Sequence, residues 1–393
     1  MKSSFNLEEI RQETPGCQHV IHFNNAGAGL MPQSVLDAQV NHLKLEANIG
    51  GYEASWQEEA AIERTYDAVT ELLNGRSRDE IAIVENATVA WDMAFHSIPF
   101  QKGDRILTAK ASYVSNYIAF LLVAERLGVQ IDVIPNDEHG QVSAEALADM
   151  IDERVKLIAV THIPTNGGLV NPAAAVGQVA RPDGCFYLLD ACQAAGQVPL
   201  DVQAIGCDML SATGRKWLRG PRGVGFLYVK QDKIAQLSPP VLDLHSAKWS
   251  ATNRYEIRPD ARRFENWENN YGAKIGLAVA VDYALNWGMD LLWDEVQSRA
   301  NLYRTELGKV AGVTIHDIGE VQGGIVTFTK KGVTPKEIQA HLAQYKINVN
   351  TTDITSTRLD MEDRGLTEVV RSSVHYYNSP TEIATFCERL SEI

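Results

Sequence analysis

The sequence predicts an α/β fold, with a mainly parallel central sheet sandwiched by helices and a smaller α+β domain at its C-terminal end. Three observations predict it. From about residue 80, short runs rich in β-formers alternate with helix-length stretches. Those runs are apolar almost throughout, as strands covered on both faces must be. After about residue 290 the alternation gives way to paired strands and to helices with strong start signals.

Taken in order, "IAIV" (81–84) precedes the helical "ATVAWDMAFHSI", "RILTA" (105–109) precedes "YIAFLLVAERLG", and "QIDVIP" (130–135) precedes "SAEALADMIDE". "LIAVTHI" (157–163), the helical "PAAAVGQVAR", "CFYLLDAC" (185–192), "CDMLSATG" (207–214) and "GVGFLYV" (223–229) complete the sheet. Two helical stretches follow, "GAKIGLAVAVDYALNWG" and "DLLWDEVQSRANLYRTELGKV", and then a strand pair, "VTIHD" and "GGIVTFTK". In "TPKEIQAHLAQY" Thr334, Pro335 and Glu337 supply an N-cap, an N1 proline and a capping box. "VVRSSVHYY" (369–377) reads as a strand, and "SPTEIATFCERL" repeats the same helix-start chemistry. We expect an N-terminal arm over 1–20, a large domain over 21–289 and a small α+β domain over 290–393.

The 393 residues carry a formal net charge of −14, which repels nucleic acid and anionic membranes alike. The start, "MKSSFNLEEI", has no apolar h-region, and the densest apolar run, "YIAFLLVA" (117–124), is too short to span a bilayer. A cytoplasmic location is the expectation. Cys17, Cys185, Cys192, Cys207 and Cys387 are scattered without CxxC spacing, and the ten histidines include no HExxH. No disulfide framework and no metal site are expected.

Ligands of such sheets sit beyond the carboxyl ends of the strands. Asp190 ends the apolar run "CFYLLD", where an unpaired carboxylate is costly to desolvate. One strand later, "SATGRKW" places Lys216 in a glycine-flanked turn next to Arg215. Desolvation and a neighbouring cation both lower an amine's pKa, which an imine-forming lysine requires. An acid and an amine at successive strand ends fit a pyridine cofactor held between them, its ring nitrogen kept protonated by the carboxylate and its aldehyde held by the lysine. A phosphate would find the helix N-terminus around Ala87 and Thr88, where free amides point outward; Thr88 as a simple N-cap is the alternative.

The stretches "FNNAGAGLMP", "ENATVAWDMAF", "SYVSNYIAF", "THIPTNGGLVNP", "DACQAAGQVPLDV", "SATGRKWLRGPRGVGFLYV", "RRFENWENN" and "VVRSSVHYYNSPTEI" together resemble the class V aminotransferase family of fold-type-I pyridoxal-phosphate enzymes. That group includes cysteine desulfurases, C–S lyases and isopenicillin-N-epimerase-like proteins. The resemblance runs over nearly the whole chain and implies pyridoxal 5'-phosphate as cofactor, an amino-acid substrate and a homodimer with its sites at the subunit interface. It implies Lys216 as the imine lysine, Asp190 as partner of the ring nitrogen, Gln193 as donor to the ring hydroxyl, and Thr88, Thr213 and Arg215 as phosphate ligands. Tyr113, or Ser112 on an alignment slipped by one, falls where relatives cover the cofactor face. A substrate-side asparagine is implied at Thr165 or Asn166. Tyr271 falls where relatives reach the neighbouring subunit's phosphate, and Arg371 matches the arginine for the substrate α-carboxylate. Arg358 is a candidate for a second substrate carboxylate.

"NNAGAGLMP" lacks the third glycine of a dinucleotide-binding fingerprint and follows no apolar strand, and no Walker motif occurs. The non-enzyme alternative is that 212–223, "ATGRKWLRGPRG", is an anion-binding module. Cysteine desulfurases use a cysteine on a small-domain loop, and the matching segment here, 347–373, has none. Cys192 and Cys207 read as packing residues, and Arg219 and Arg222 as turn or solvated residues. The expected reaction is therefore Cβ–S lysis of cysteine or an S-substituted cysteine, with transamination second and epimerisation third.

Overall fold

The computed structural model describes residues 4–393. Seven strands form the central sheet: β1 (Ile81–Val84), β2 (Arg105–Ala109), β3 (Gln130–Ile134), β4 (Val155–Thr161), β5 (Phe186–Asp190), β6 (Met209–Thr213) and β7 (Gly225–Val229). Their spatial order is β1-β7-β6-β5-β4-β2-β3. Only β7 runs against its neighbours, as the strand that returns between β6 and β1.

Alternation along each strand divides the core between the two faces. Leu107, Ile158, Leu189 and Leu210 join one apolar cluster, while Ile106, Leu157, Leu188 and Met209 join the other. Each such side chain contributes roughly 1.5–3 kcal/mol by leaving water, so the strands cannot slip by one residue without exchanging faces. Register then fixes the chemistry, because Thr161, Asp190 and Ser211 stand side by side at the carboxyl ends of β4, β5 and β6.

Helix α1 (Ala87–Phe95) follows β1 and α2 (Val114–Leu127) follows β2. Later come α3 (Tyr271–Trp287) and α4 (Met289–Leu307), and among the described residues no single helix is long and apolar enough to cross a membrane. A second, antiparallel sheet has the order β8-β9-β11-β10, from β8 (Val313–Ile315), β9 (Ile325–Lys330), β10 (Asn350–Asp353) and β11 (Glu368–Ser373). Between and after these strands lie α5 (Pro335–Gln344), α6 (Arg358–Asp363) and α7 (Pro380–Ser391). Both expected capping boxes are present, Thr334 with Glu337 and Ser379 with Glu382.

One reading of the sequence is corrected, and two pairings that no reading anticipated are added. The strand expected over 369–377 stops at Ser373, because Asn378 closes a turn onto the His375 carbonyl and Tyr376 and Tyr377 are committed to the core. The polar "NTTD" forms β10, which pairs with β11 although its own pattern carries no apolar face. Ile21–His22 pairs in parallel with Ile347–Asn348, and Phe23 packs in the C-terminal core beside Tyr303 and Phe386. The chain thus returns its N-terminal segment to the far unit. We propose 290–393 as the small domain on the strength of its own sheet and core.

Candidate active site

The carboxyl ends of β1, β2, β4, β5 and β6 wall one cavity of about 330 Å³, lined by Thr88, Tyr113, Asp190, Gln193, Thr213 and Lys216 among others. Strand β5 ends at Asp190 because its carboxylate accepts the Cys192 amide (2.9 Å), turning the chain. The other carboxylate oxygen accepts from Asn116 Nδ2 at 2.8 Å. Asn116 is a partner the sequence reading missed; its signal is a buried polar residue within the apolar helix "YVSNYIAF". Burial raises the Asp190 carboxyl above the ordinary range, against the Cys192 amide, Asn116 and Lys216, which oppose the shift.

Lys216 is buried just past β6. Burial lowers its amine below the ordinary lysine value; Cys192 and, more weakly, Asp190 oppose the shift, while Arg215 and Arg371 reinforce it. The turn that carries Lys216 rests on Gly196 (φ +92°), where a Cβ would stand 2.4–2.7 Å from the Trp217 and Leu218 backbone. No other residue tolerates both that φ and that approach. Trp217 Nε1 donates to Gln193 Oε1 at 2.9 Å, so the Gln193 amide presents its NH2 toward Thr165 and the Ala26 carbonyl.

At the other end, Asn86 caps α1 by accepting from the Thr88 and Val89 amides. The N-cap is thus Asn86, two residues before Thr88, and the Thr88 amide is already taken. Ala87, the exposed Thr88 side chain, Thr213, Arg215 and the exposed Arg222 still line this end of the cavity. Arg215 is half-buried and donates to the Gly27 carbonyl, and burial lowers its pKa. Tyr113 lines the cavity, whereas Ser112 spends its hydroxyl on Thr108 and the Ala109 carbonyl. The geometry favours Tyr113 over the slipped alignment.

A second cavity of about 620 Å³ opens outward and shares Tyr113, Thr165, Arg215 and Lys216 with the first. Arg371 lines it from β11, is only 9% exposed, and donates through Nη1 to Thr165 Oγ1 at 2.6 Å. Its Nε has no hydrogen-bond partner among the described residues. Burial pushes its pKa down to about 10, with Tyr113 opposing and Arg215 reinforcing. A buried guanidinium without a carboxylate is costly unless an anion arrives.

Three expectations fail locally, and a fourth holds for turn geometry but not for solvation. Asn166 does not line either cavity; its amide donates to Thr357 Oγ1 and Met361 Sδ and accepts from Thr352, so Thr165 is the residue that faces the site. Arg358 opens α6, is largely exposed and pairs with Glu362 at 2.8 Å, one helical turn on, so it stands outside both cavities. Cys192 is half-buried on the cavity wall, placed there by the turn that its own amide closes on Asp190. Arg219 adopts φ +60° but is fully buried, ringed by Tyr283, Tyr376 and Tyr377 at 4.8–5.4 Å.

Tyr271 starts α3 and lines a neighbouring cleft that shares Glu85 and Gly223 with the first cavity. Pyridoxal phosphate fits the first cavity on three counts. An acid and a low-pKa amine, each lacking a full counter-charge, face one space. Ser211 Oγ lies buried and unpartnered on the same wall, and the far end gathers hydroxyls and guanidinium groups around a helix N-terminus.

The family described as Aminotransferase class-V matches residues 21–386. A probable cysteine desulfurase of Pyrococcus abyssi is 27% identical, covering 98% of this chain and 97% of its own. A cysteine desulfurase of Salmonella agona is 27% identical over 99% and 98%. The apo structure of a cysteine desulfurase from Thermococcus onnurineus NA1 superposes with a TM-score of 0.91 at 24% identity, over 100% of this chain and 99% of that one. The cystine C–S lyase C-DES, in complex with its reaction product cysteine persulfide, superposes with a TM-score of 0.86 at 24% identity, over 97% and 99%. At these identities the two structures speak for the fold.

Proposed function

The chain belongs to the class V aminotransferase family, with pyridoxal phosphate as its cofactor, and on that premise we propose a Cβ–S lyase acting on cysteine or an S-substituted cysteine. The observation that carries the reading is the wall opposite Lys216. Segment 347–373 lines the outer cavity with Thr352, Thr355 and Ser356 and contains no cysteine. A persulfide-forming desulfurase needs a thiolate that reaches the substrate's sulfur, whereas a lyase does not.

Asp190 would hold the protonated ring nitrogen, Lys216 the aldehyde carbon, Gln193 the ring hydroxyl, Tyr113 one ring face, and Thr88, Thr213 and Arg215 the phosphate. The bound cofactor supplies an electron sink for the bonds at the substrate's Cα. Arg371 binds the α-carboxylate through its fork of donors. Lys216 Nζ, kept neutral more readily by burial, takes the Cα proton as general base. The Cβ–S bond would then break with its electron pair on sulfur, and Lys216, now protonated, would return that proton to the departing sulfur. Water converts the three-carbon remainder to pyruvate and ammonia.

The proposal includes a homodimer. Tyr52 and Trp267, 59% and 42% exposed, line a further cleft with Tyr271, and Trp56, 70% exposed, stacks on Tyr52, together leaving apolar surface that a second copy would cover. A monomer at micromolar concentration in sedimentation would remove this part.

Incubation of the holoenzyme with cysteine, cystine and S-methylcysteine, with pyruvate and the cofactor spectrum followed together, tests the reaction. Pyruvate release at a constant cofactor spectrum is expected. Conversion of the cofactor to its amine form without pyruvate would reject the lyase in favour of transamination.

A further inference from the structure

We propose that Trp217 is a positioning residue for the cofactor: its indole N–H fixes the Gln193 amide with the NH2 toward the ring hydroxyl, and the small sheet holds the indole in place. This rests on the cofactor placement given above and on none of the reaction's later steps.

Trp217 follows Lys216 and is 1% exposed, so its N–H must find an acceptor inside the protein. An indole can only donate, and the acceptor it meets is Gln193 Oε1, at 2.9 Å. On the other side of the amide, Nε2 donates to the Ala26 carbonyl at 3.1 Å. Turned over, the amide would set its NH2 against the indole N–H and its oxygen against the Ala26 carbonyl, two mismatches in a buried site. One Nε2 proton remains. Among the described residues it meets Thr165 Oγ1 at 3.5 Å, beyond the usual hydrogen-bond range, and that hydroxyl already accepts from Arg371 at 2.6 Å. This is the proton left for the hydroxyl oxygen of a bound ring.

The indole is clamped from the small sheet. Gly324, the residue before β9, lies against its six-membered ring: a Cβ there would stand 2.5 and 2.8 Å from Cη2 and Cζ3. His375, just beyond β11, stacks on the indole with ring centres 5.2 Å apart and planes 23° apart. Its Nδ1 accepts the Tyr376 amide, so Nε2 carries the proton and donates to the Trp217 carbonyl at 3.1 Å. Gln197 makes a parallel tie, accepting the Gly324 amide at 2.8 Å and donating to the Gln193 carbonyl at 2.6 Å. A shift of the small sheet that moved Gly324 and His375 would carry the Gln193 donor with it.

A donor on the ring oxygen stabilises the deprotonated form and keeps the bound cofactor's colour change at low pH. Without the indole N–H, Oε1 is left buried with no donor. The turned-over amide can then accept from the ring hydroxyl in exchange for the mismatch at Ala26, which favours the protonated hydroxyl and raises the midpoint.

The test titrates the absorption of the bound cofactor against pH in the holoenzyme of the wild type, Trp217→Phe, Trp217→Leu, Gln193→Leu and the double variant Trp217→Phe with Gln193→Leu. The two Trp217 variants lose the same N–H but different volumes. Both should raise the midpoint equally, by about one pH unit, the order expected for one buried hydrogen bond. Gln193→Leu should raise it similarly, and the double variant no further. A midpoint that stays put in both Trp217 variants, that follows the volume removed, or that rises additively in the double variant would overturn the proposal, because packing alone does not act through Gln193. If Gln193→Leu leaves the midpoint unmoved, the cofactor placement fails and the proposal falls with it. Pyruvate release enters none of these outcomes, so the lyase reading stands or falls separately.

Discussion

On the large-sheet wall of the cleft, Asp190 is held by the Cys192 amide and Asn116, and Lys216 lies buried on a turn packed against Gly196. On the small-sheet wall, Arg371 keeps Nε unpartnered among the described residues. The first wall is organised around fixed internal contacts and the second around a group still to be matched. The contrast separates chemistry from recognition. Under the proposed function, the large sheet would hold the cofactor and the small sheet would supply, in Arg371, the charge that binds the substrate. Arg219 sharpens the point, because it lies only three positions beyond Lys216 and both cations are buried. Arg219 is satisfied by the Leu30 carbonyl, Tyr376 and Thr14, so burial leaves it inert.

If that division is right, substitutions on the two walls separate in kinetics. Asp190→Asn should lower kcat by about a hundred- to a thousandfold with every substrate, as for loss of an electrostatic partner in a buried site, checked by steady-state pyruvate release. Arg371→Gln should instead raise KM about ten- to a hundredfold with a smaller change in kcat, because bidentate carboxylate binding is lost. A comparable kcat loss in both would erase the distinction.

A pH experiment probes the first wall alone. The Lys216 amine lies below its ordinary value near 10.5 in the folded protein, chiefly through burial. Between the folded and unfolded pKa values the unfolded chain binds more protons, so this group makes stability rise with pH there, and its full penalty is present below the window. The apoprotein of Lys216→Met should therefore melt above wild type at pH 7, by a margin that shrinks as pH approaches 10.5. A margin independent of pH would contradict the assignment. The smallest effect is expected at Arg358, where Arg358→Ala should leave activity within about twofold, since an exposed i,i+4 pair contributes little.

Much of the large-sheet wall was legible in the sequence because apolar runs such as "FYLLD" can only be buried strands, and the residue after the last apolar position must sit at the strand end. The small-sheet wall was less so. "NTTD" pairs as a strand through tertiary contact with β11, and nothing in its composition announces that. Thr165 and Asn166 point oppositely in a loop with no period to read, so their roles follow only from Thr357, Met361 and Arg371 closing on them. Arg219 could be read only as a turn or solvated residue because its tyrosines come from residues 283, 376 and 377.

The central claim is that Lys216, at the end of β6, is the amine that holds the cofactor. Borohydride reduction of the yellow holoenzyme, followed by digestion and mass analysis, tests it directly. The account predicts a phosphopyridoxyl group on Lys216 and no fixed chromophore in Lys216→Ala. A phosphopyridoxyl group on another lysine, such as the buried Lys274, or a protein that stays colourless after incubation with pyridoxal phosphate, would contradict it.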